Sequence, residues 1–115
     1  MTELHKLKDR ALDASSRGLH RKAAEIYTEI VSREPGADWR MRAGEAARRA
    51  GLLPLAIEHF TVAAEAYAGE GFPQKAIAVA RLILQLEPGR EDTMMLLESL
   101  RRDGTPLASL RVRLE

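Results

Sequence analysis

The stretch IEHFTVAAEAYAGEGFPQKAIAVARLILQLEPGR, residues 57–90, decides the fold class of this chain. Alanine and larger apolar residues recur in it at steps of three and four, the period of an amphipathic α-helix. Gly71 interrupts this pattern, and Glu87-Pro88-Gly89 ends it, because proline disfavours helix in the residue before it and glycine frees the backbone to turn. The stretch therefore predicts a helical hairpin, two helices joined by a short turn.

The same succession of helical periodicity and turn residues continues on both sides of the hairpin. Gly18, Glu34-Pro35-Gly36, Gly51 and Gly104 are further stop signals, and Asp38 is placed to cap the third helix. Loops of about three to five residues between helices of similar length imply antiparallel neighbours. The sequence thus predicts an all-α fold with six helices and no sheet. The predicted helices span residues 3–16, 20–33, 38–50, 54–68, 73–86 and 91–102.

Composition limits the classes of protein to which the chain can belong. Its 115 residues are enough for one domain with a buried core, and the absence of cysteine excludes disulfides and thiolate metal sites. The 18 basic and 17 acidic residues nearly balance, which gives no general attraction to nucleic acid or membranes. The N-terminus is charged throughout, and the most apolar stretch, 76–86, is too short to cross a bilayer. We therefore expect a cytoplasmic protein. The excess of 14 arginines over 4 lysines is typical of a GC-rich bacterial genome.

An internal repeat relates two parts of the chain. Residues 18–51 and 71–104 align without gaps, and 12 of their 34 positions are identical. Composition alone predicts roughly two or three identities. Beyond the turn residues, the repeat preserves a Met, Glu, Arg, Arg set. Its two copies are Met41, Glu45, Arg48 and Arg49, and Met94, Glu98, Arg101 and Arg102.

The spacing Phe60-x2-Ala63-Ala64-x2-Tyr67, followed by Gly71, Ala76 and Pro88, resembles the tetratricopeptide repeat (TPR), a helical hairpin of about 34 residues. The resemblance covers most of residues 4–90 and implies antiparallel helical hairpins stacked as a short α-solenoid, similar to modules of bacterial multidomain regulators. Helix four is shared between two units, so an irregularity is expected there. We interpret residues 1–104 as this domain and residues 105–115 as a tail or the start of a downstream segment.

The resemblance also implies a binding site, because in TPR proteins the first helix of each unit lines a concave groove that holds a peptide or protein segment. The arginines on that face would donate hydrogen bonds to carboxylates, and the methionines would form an adaptable apolar floor. The predicted ligand therefore carries acidic groups beside an apolar side chain. A second interpretation of the repeated set stays open, namely ion pairs within one helix, each worth about 0.2–0.5 kcal/mol. The positions that match the groove are Lys8, Leu12, Met41, Glu45, Arg48, Arg49, Met94, Glu98, Arg101 and Arg102.

The remaining polar residues do not predict an enzyme. No motif combines a nucleophile, a base and an orienting group, and His5, His20 and His59 have no metal-ligand spacing. We expect these histidines at solvated or edge positions, and we expect no catalytic site, metal or cofactor.

The expected function is a non-enzymatic scaffold or adaptor with a protein or peptide partner, and no nucleic acid or membrane partner. Two alternatives stay open. One is self-association as a homodimer, within a larger regulatory protein. The other is an RNA-binding helical repeat. The balanced charge and the small number of aromatic residues argue against this alternative.

Overall fold

The computed structural model describes residues 2–103, which form six α-helices and no strand. The all-α class predicted from the sequence is therefore confirmed for this part of the chain. No helix end differs from its prediction by more than two residues. The tail predicted for residues 105–115 lies outside the described residues. The helices are α1 Glu3–Ser16, α2 His20–Arg33, α3 Ala37–Arg49, α4 Leu53–Gly69, α5 Pro73–Leu86 and α6 Glu91–Asp103.

Three of the turns end a helix in the same way, at Gly18, Gly51 and Gly71. These glycines have φ values of 75°, 77° and 87°, in the left-handed region that favours glycine. At the first of them, the Gly18 N–H donates to the Ser15 carbonyl at 3.1 Å and the Leu19 N–H to the Ala14 carbonyl at 2.9 Å. The same two bonds recur after Gly51 and Gly71. Each turn is thus a Schellman motif, which satisfies carbonyls that the helix end leaves free.

The start of α3 corrects one prediction. Gly36, with an extended backbone and no capping side chain, occupies the N-cap position that the sequence assigned to Asp38. The helix begins at once after the Pro35-Gly36 stop, so Asp38 falls in its first turn. A carboxylate there interacts favourably with the positive end of the helix dipole. The prediction was wrong because it relied on the capping ability of the Asp38 side chain and not on the position at which the preceding turn ends.

The chain divides into two compact units, and the boundary along the sequence falls between His59 and Phe60, inside α4. In the first unit, α1 packs against α2, and α2 packs against α3. In the second unit, α5 packs against α6. Because the loops between these packed helices have only three or four residues, the chain must reverse direction at each of them.

Small residues occupy several fully buried positions on the helices of both units. An alanine or glycine lets the neighbouring backbone come near, and larger side chains then fill the remaining space. The larger buried side chains include Leu7, Ile26, Tyr27 and Ile30 in the first unit. In the second unit they include Phe60, Tyr67, Ile83 and Leu100. The buried small residues include Ala11, Ala23, Gly44, Ala56, Ala64 and Ala76.

Replacing Ala76 by leucine should lower the free energy of unfolding by about 1–3 kcal/mol, because α5 has no space for three further carbon atoms at this fully buried position. Chemical denaturation of wild type and variant measures the difference. The same change at Ala78, an exposed position on α5, is the matched control and should leave the midpoint nearly unchanged. Equal midpoints for wild type and Ala76→Leu would contradict the assigned packing.

Candidate protein-interaction surface

Glu45 holds two arginines in place on α3. The Arg48 guanidinium donates to both carboxylate oxygens of Glu45, once from Nε at 3.0 Å, and Arg49 Nε donates to Glu45 Oε1 at 3.1 Å. Hydrogen bonding from Arg48, and then from Arg49, holds the pKa of Glu45 below its usual value. The intrahelical ion pairs that the spacing allows are therefore present in this copy. Both arginines remain exposed at the end of α3 and keep further N–H groups for a ligand.

The second copy of the repeated set lies on α6, in the second unit. Met94, Glu98, Arg101 and Arg102 are all exposed there. Met94 is one of the large apolar side chains that remain accessible in the described residues. Because the two copies belong to different units, each is a separate candidate surface.

The predicted groove residues of α1 have different surroundings. The Lys8 ammonium lies 2.8 Å from a Glu34 carboxylate oxygen and 4.8 Å from the centre of the Trp39 ring. The hydrogen bond from Lys8 is the main reason why the pKa of Glu34 is lowered, and the Trp39 side chain contributes a smaller lowering. Lys8 thus connects α1 to the end of α2 and the start of α3. Leu12 has 55% of its surface exposed and lines none of the cavities described below.

A cleft in the first unit brings together side chains from three helices. Its volume is about 170 Å³, and its walls include Ser15, His20, Tyr27, Arg42, Glu45 and Arg49. Glu45 and Arg49 are the predicted site residues that line it, whereas Met41 and Arg48 do not. An open depression of about 460 Å³ adjoins the cleft at His20 and is lined further by Leu19, Arg21, Lys22 and Glu25. We call the cleft and the depression together the basic hollow.

His59 contradicts the expectation that the histidines are solvated or lie at edges. Its side chain is only 2% exposed, and it bonds to α2 and α3. Arg40 Nη1 lies 3.1 Å from His59 Nδ1, and Thr28 Oγ1 lies 3.1 Å from His59 Nε2. A guanidinium can only donate, so Nδ1 must accept and the proton of the neutral ring sits on Nε2. Thr28 then accepts from His59 and donates to the Ala24 carbonyl at 2.7 Å.

The pKa of His59 is lowered, first by burial and then by the nearby positive charge of Arg40, with Glu58 acting weakly in the opposite direction. Protonation of Nδ1 would remove the acceptor for Arg40 and place two cations in contact. The first unit is therefore assembled around a neutral histidine.

The free energy of unfolding should fall as the pH drops below about 6.5, the pKa of histidine in the unfolded chain. Because the folded-state pKa is lower, the unfolded state binds the proton more readily, and the loss continues until the pH reaches that lower value. Urea denaturation at about pH 7.5 and about pH 5 measures the effect. Glu34 and Glu45, whose pKa values are lowered, keep their charge over this range. His59→Gln should give a flatter profile, and an unchanged slope would contradict this role.

Metal sites and membrane-spanning helices were also sought among the described residues. Residues 2–103 hold no group of three or more His, Asp or Glu side chains placed to bind a metal ion. None of their helices has both the length and the apolar composition needed to cross a bilayer.

No protein-family model matches this sequence, and no curated protein matches it at a significant level. The geometry of the two units is therefore the basis for a functional proposal.

Proposed function

We propose that this protein is a non-enzymatic interaction scaffold of the TPR-like type, which binds a segment of a partner protein at the exposed surface of α3. The observation that carries the proposal is the arrangement of Arg48 and Arg49 around Glu45. Two guanidinium groups held on one helix end, beside a cleft, form a surface prepared for directional hydrogen bonds.

The fixed arginines favour a ligand with carboxylates. A guanidinium offers N–H groups in a planar fork that matches a carboxylate, and its positioning by Glu45 reduces the entropy lost on binding. The Glu45 carboxylate also disfavours strongly basic partners. Met41, half-buried one helical turn before Glu45, can contribute an adaptable apolar contact. An acidic segment with an apolar side chain fits this chemistry.

Affinity capture from cells of the source organism with two immobilised baits tests the proposal. One bait is the wild-type chain and the other carries Arg48→Glu and Arg49→Glu. Both baits should show the same helical circular dichroism, because exposed ion pairs contribute little to stability. We expect at least one protein that the wild-type bait retains and the variant loses. Identical sets of retained proteins on the two baits would contradict the proposal.

A further inference from the structure

The basic hollow carries more positive charge than its carboxylates can balance. Four of its residues, Arg21, Lys22, Arg42 and Arg49, are cationic, against the two carboxylates Glu25 and Glu45, which leaves two positive charges in excess. Of the four, Arg49 forms an ion pair with Glu45, a carboxylate that it shares with Arg48.

The cations of the hollow are held by different means. The Arg42 guanidinium lies 4.9 Å from the centre of the Trp39 ring, so a cation–π contact limits its motion without neutralising its charge. Arg21 and Lys22 lie in the first turn of α2 and line the depression, which shares His20 with the cleft. The positive charges therefore lie along a path from α2 to α3.

The hollow also offers an apolar contact and polar residues. Leu19, which follows the Gly18 turn, is 43% exposed and forms part of the depression. Ser15 and Tyr27 contribute to the cleft. An extended segment could thus place one apolar side chain on Leu19 and acidic side chains toward the cations on both sides.

We infer that the basic hollow binds an acidic peptide segment of the partner, with its carboxylates on Lys22 and Arg42 and an apolar side chain on Leu19. This inference rests on the proposed function and adds the location at which the acidic segment binds. Charge complementarity selects the occupant, because the cations of the hollow outnumber its carboxylates by two.

A nucleic acid fits the hollow less well than an acidic peptide. Single strands bind by stacking their bases on accessible aromatic rings. Tyr27 is buried, and Lys8 and Arg42 both lie against the Trp39 ring. The carboxylates of Glu25 and Glu45 would also repel a continuous phosphate backbone, whereas a peptide can place its charges away from them.

Nuclear magnetic resonance of the ¹⁵N-labelled full chain tests the inference with a defined probe, the blocked peptide Glu-Glu-Leu-Glu-Glu. We expect saturable shifts of the backbone amides in residues 19–25 and 42–49. The neutral peptide Gln-Gln-Leu-Gln-Gln should give no such shifts. The double variant Lys22→Gln, Arg42→Gln should bind the acidic peptide at least about tenfold more weakly, because two charge-assisted hydrogen bonds are lost.

A matched control carries Lys6→Gln and Arg10→Gln, which remove two exposed cations of α1 outside the hollow. Its affinity for the acidic peptide should stay within about twofold of wild type, because isolated surface charges contribute little. Shifts absent from the hollow, equal shifts with the neutral peptide, or an equal loss of affinity in the control would each overturn the inference. So would tighter binding of a uridine hexanucleotide than of the acidic peptide at the same residues.

The Lys22/Arg42 variant also separates this inference from the proposed function, because it leaves Arg48 and Arg49 unchanged. A captured partner that this variant retains and the Arg48/Arg49 reversal loses would overturn the hollow as the binding place and leave the scaffold function intact. A partner lost by both variants is the result that the inference predicts.

Discussion

Replacing Tyr67 with alanine is expected to lower the free energy of unfolding by about 3–5 kcal/mol. Tyr67 is 8% exposed, so the change removes most of a buried ring and leaves a cavity among the side chains that surround it. The Lys75 ammonium, 5.4 Å from the centre of the ring, also loses its cation–π contact. Denaturation by guanidinium chloride, followed by circular dichroism, measures the loss.

Phe72 is the matched control for this prediction. Its ring lies 5.0 Å from the same Lys75 ammonium, but Phe72 is 48% exposed. Phe72→Ala should therefore cost clearly less, about 1–2 kcal/mol, since it removes a similar cation–π contact but only about half of this ring is buried. If the two variants were equally destabilised, the burial of Tyr67 would not explain its contribution.

Most of the helical architecture could be predicted from local sequence. The glycines at positions 18, 51 and 71 have left-handed backbones that few other residues adopt, so each of them marks a helix end wherever the rest of the chain lies. Burial of Ala23 and Ala76 also follows from periodicity alone. The N-cap of α3 was missed because Asp38 and Gly36 are both acceptable caps, and the choice depends on how the preceding turn closes.

The ion pairs of the candidate surface were also predictable, since Glu45 lies three and four residues before the two arginines on the same helix. The basic hollow could not be predicted from the sequence. Its side chains come from α1, α2 and α3, and their meeting depends on how these helices pack. Lys8 was predicted as a groove residue from the resemblance alone, and its ion pair with Glu34 and its position over Trp39 also depend on this packing.

His59 shows how a local pattern can be overlooked when its partners are distant in sequence. Position 59 lies three residues after Ala56 and four before Ala63, on the buried side of α4, so periodicity alone could have indicated burial. What makes this burial acceptable is the bonding of both ring nitrogens to Thr28 and Arg40, which are 31 and 19 residues away. No local signal identifies those partners.

The other large effect concerns binding. Reversing Arg48 and Arg49 to glutamate is expected to weaken the complex with the captured partner by about a hundredfold or more. Each hydrogen bond lost between a guanidinium and a carboxylate is worth about 1.5–3 kcal/mol, and about 1.4 kcal/mol corresponds to tenfold in the dissociation constant. The new glutamates would also join Glu45 in repelling an acidic segment.

Two further variants serve as controls. One separates the loss of positive charge from the new repulsion, and the other reverses a charge outside the proposed surface. Arg48→Gln with Arg49→Gln removes the positive charges and introduces no new repulsion, so a smaller loss of the same sign is expected. Arg33→Glu reverses an exposed arginine of α2 that pairs with Glu29 and lines neither part of the basic hollow. This control should bind the partner as wild type does, because the Arg33 pair contributes little to stability and lies outside the proposed surface.

Titration calorimetry of the purified partner into the wild-type chain and the Arg48→Glu, Arg49→Glu variant is the most direct test of the proposed α3 surface. The account predicts measurable binding to wild type, a dissociation constant raised by about a hundredfold or more in the variant, and similar denaturation midpoints for the two chains. Equal dissociation constants for two equally folded chains would contradict it, and would leave Arg48 and Arg49 as surface ion pairs of α3.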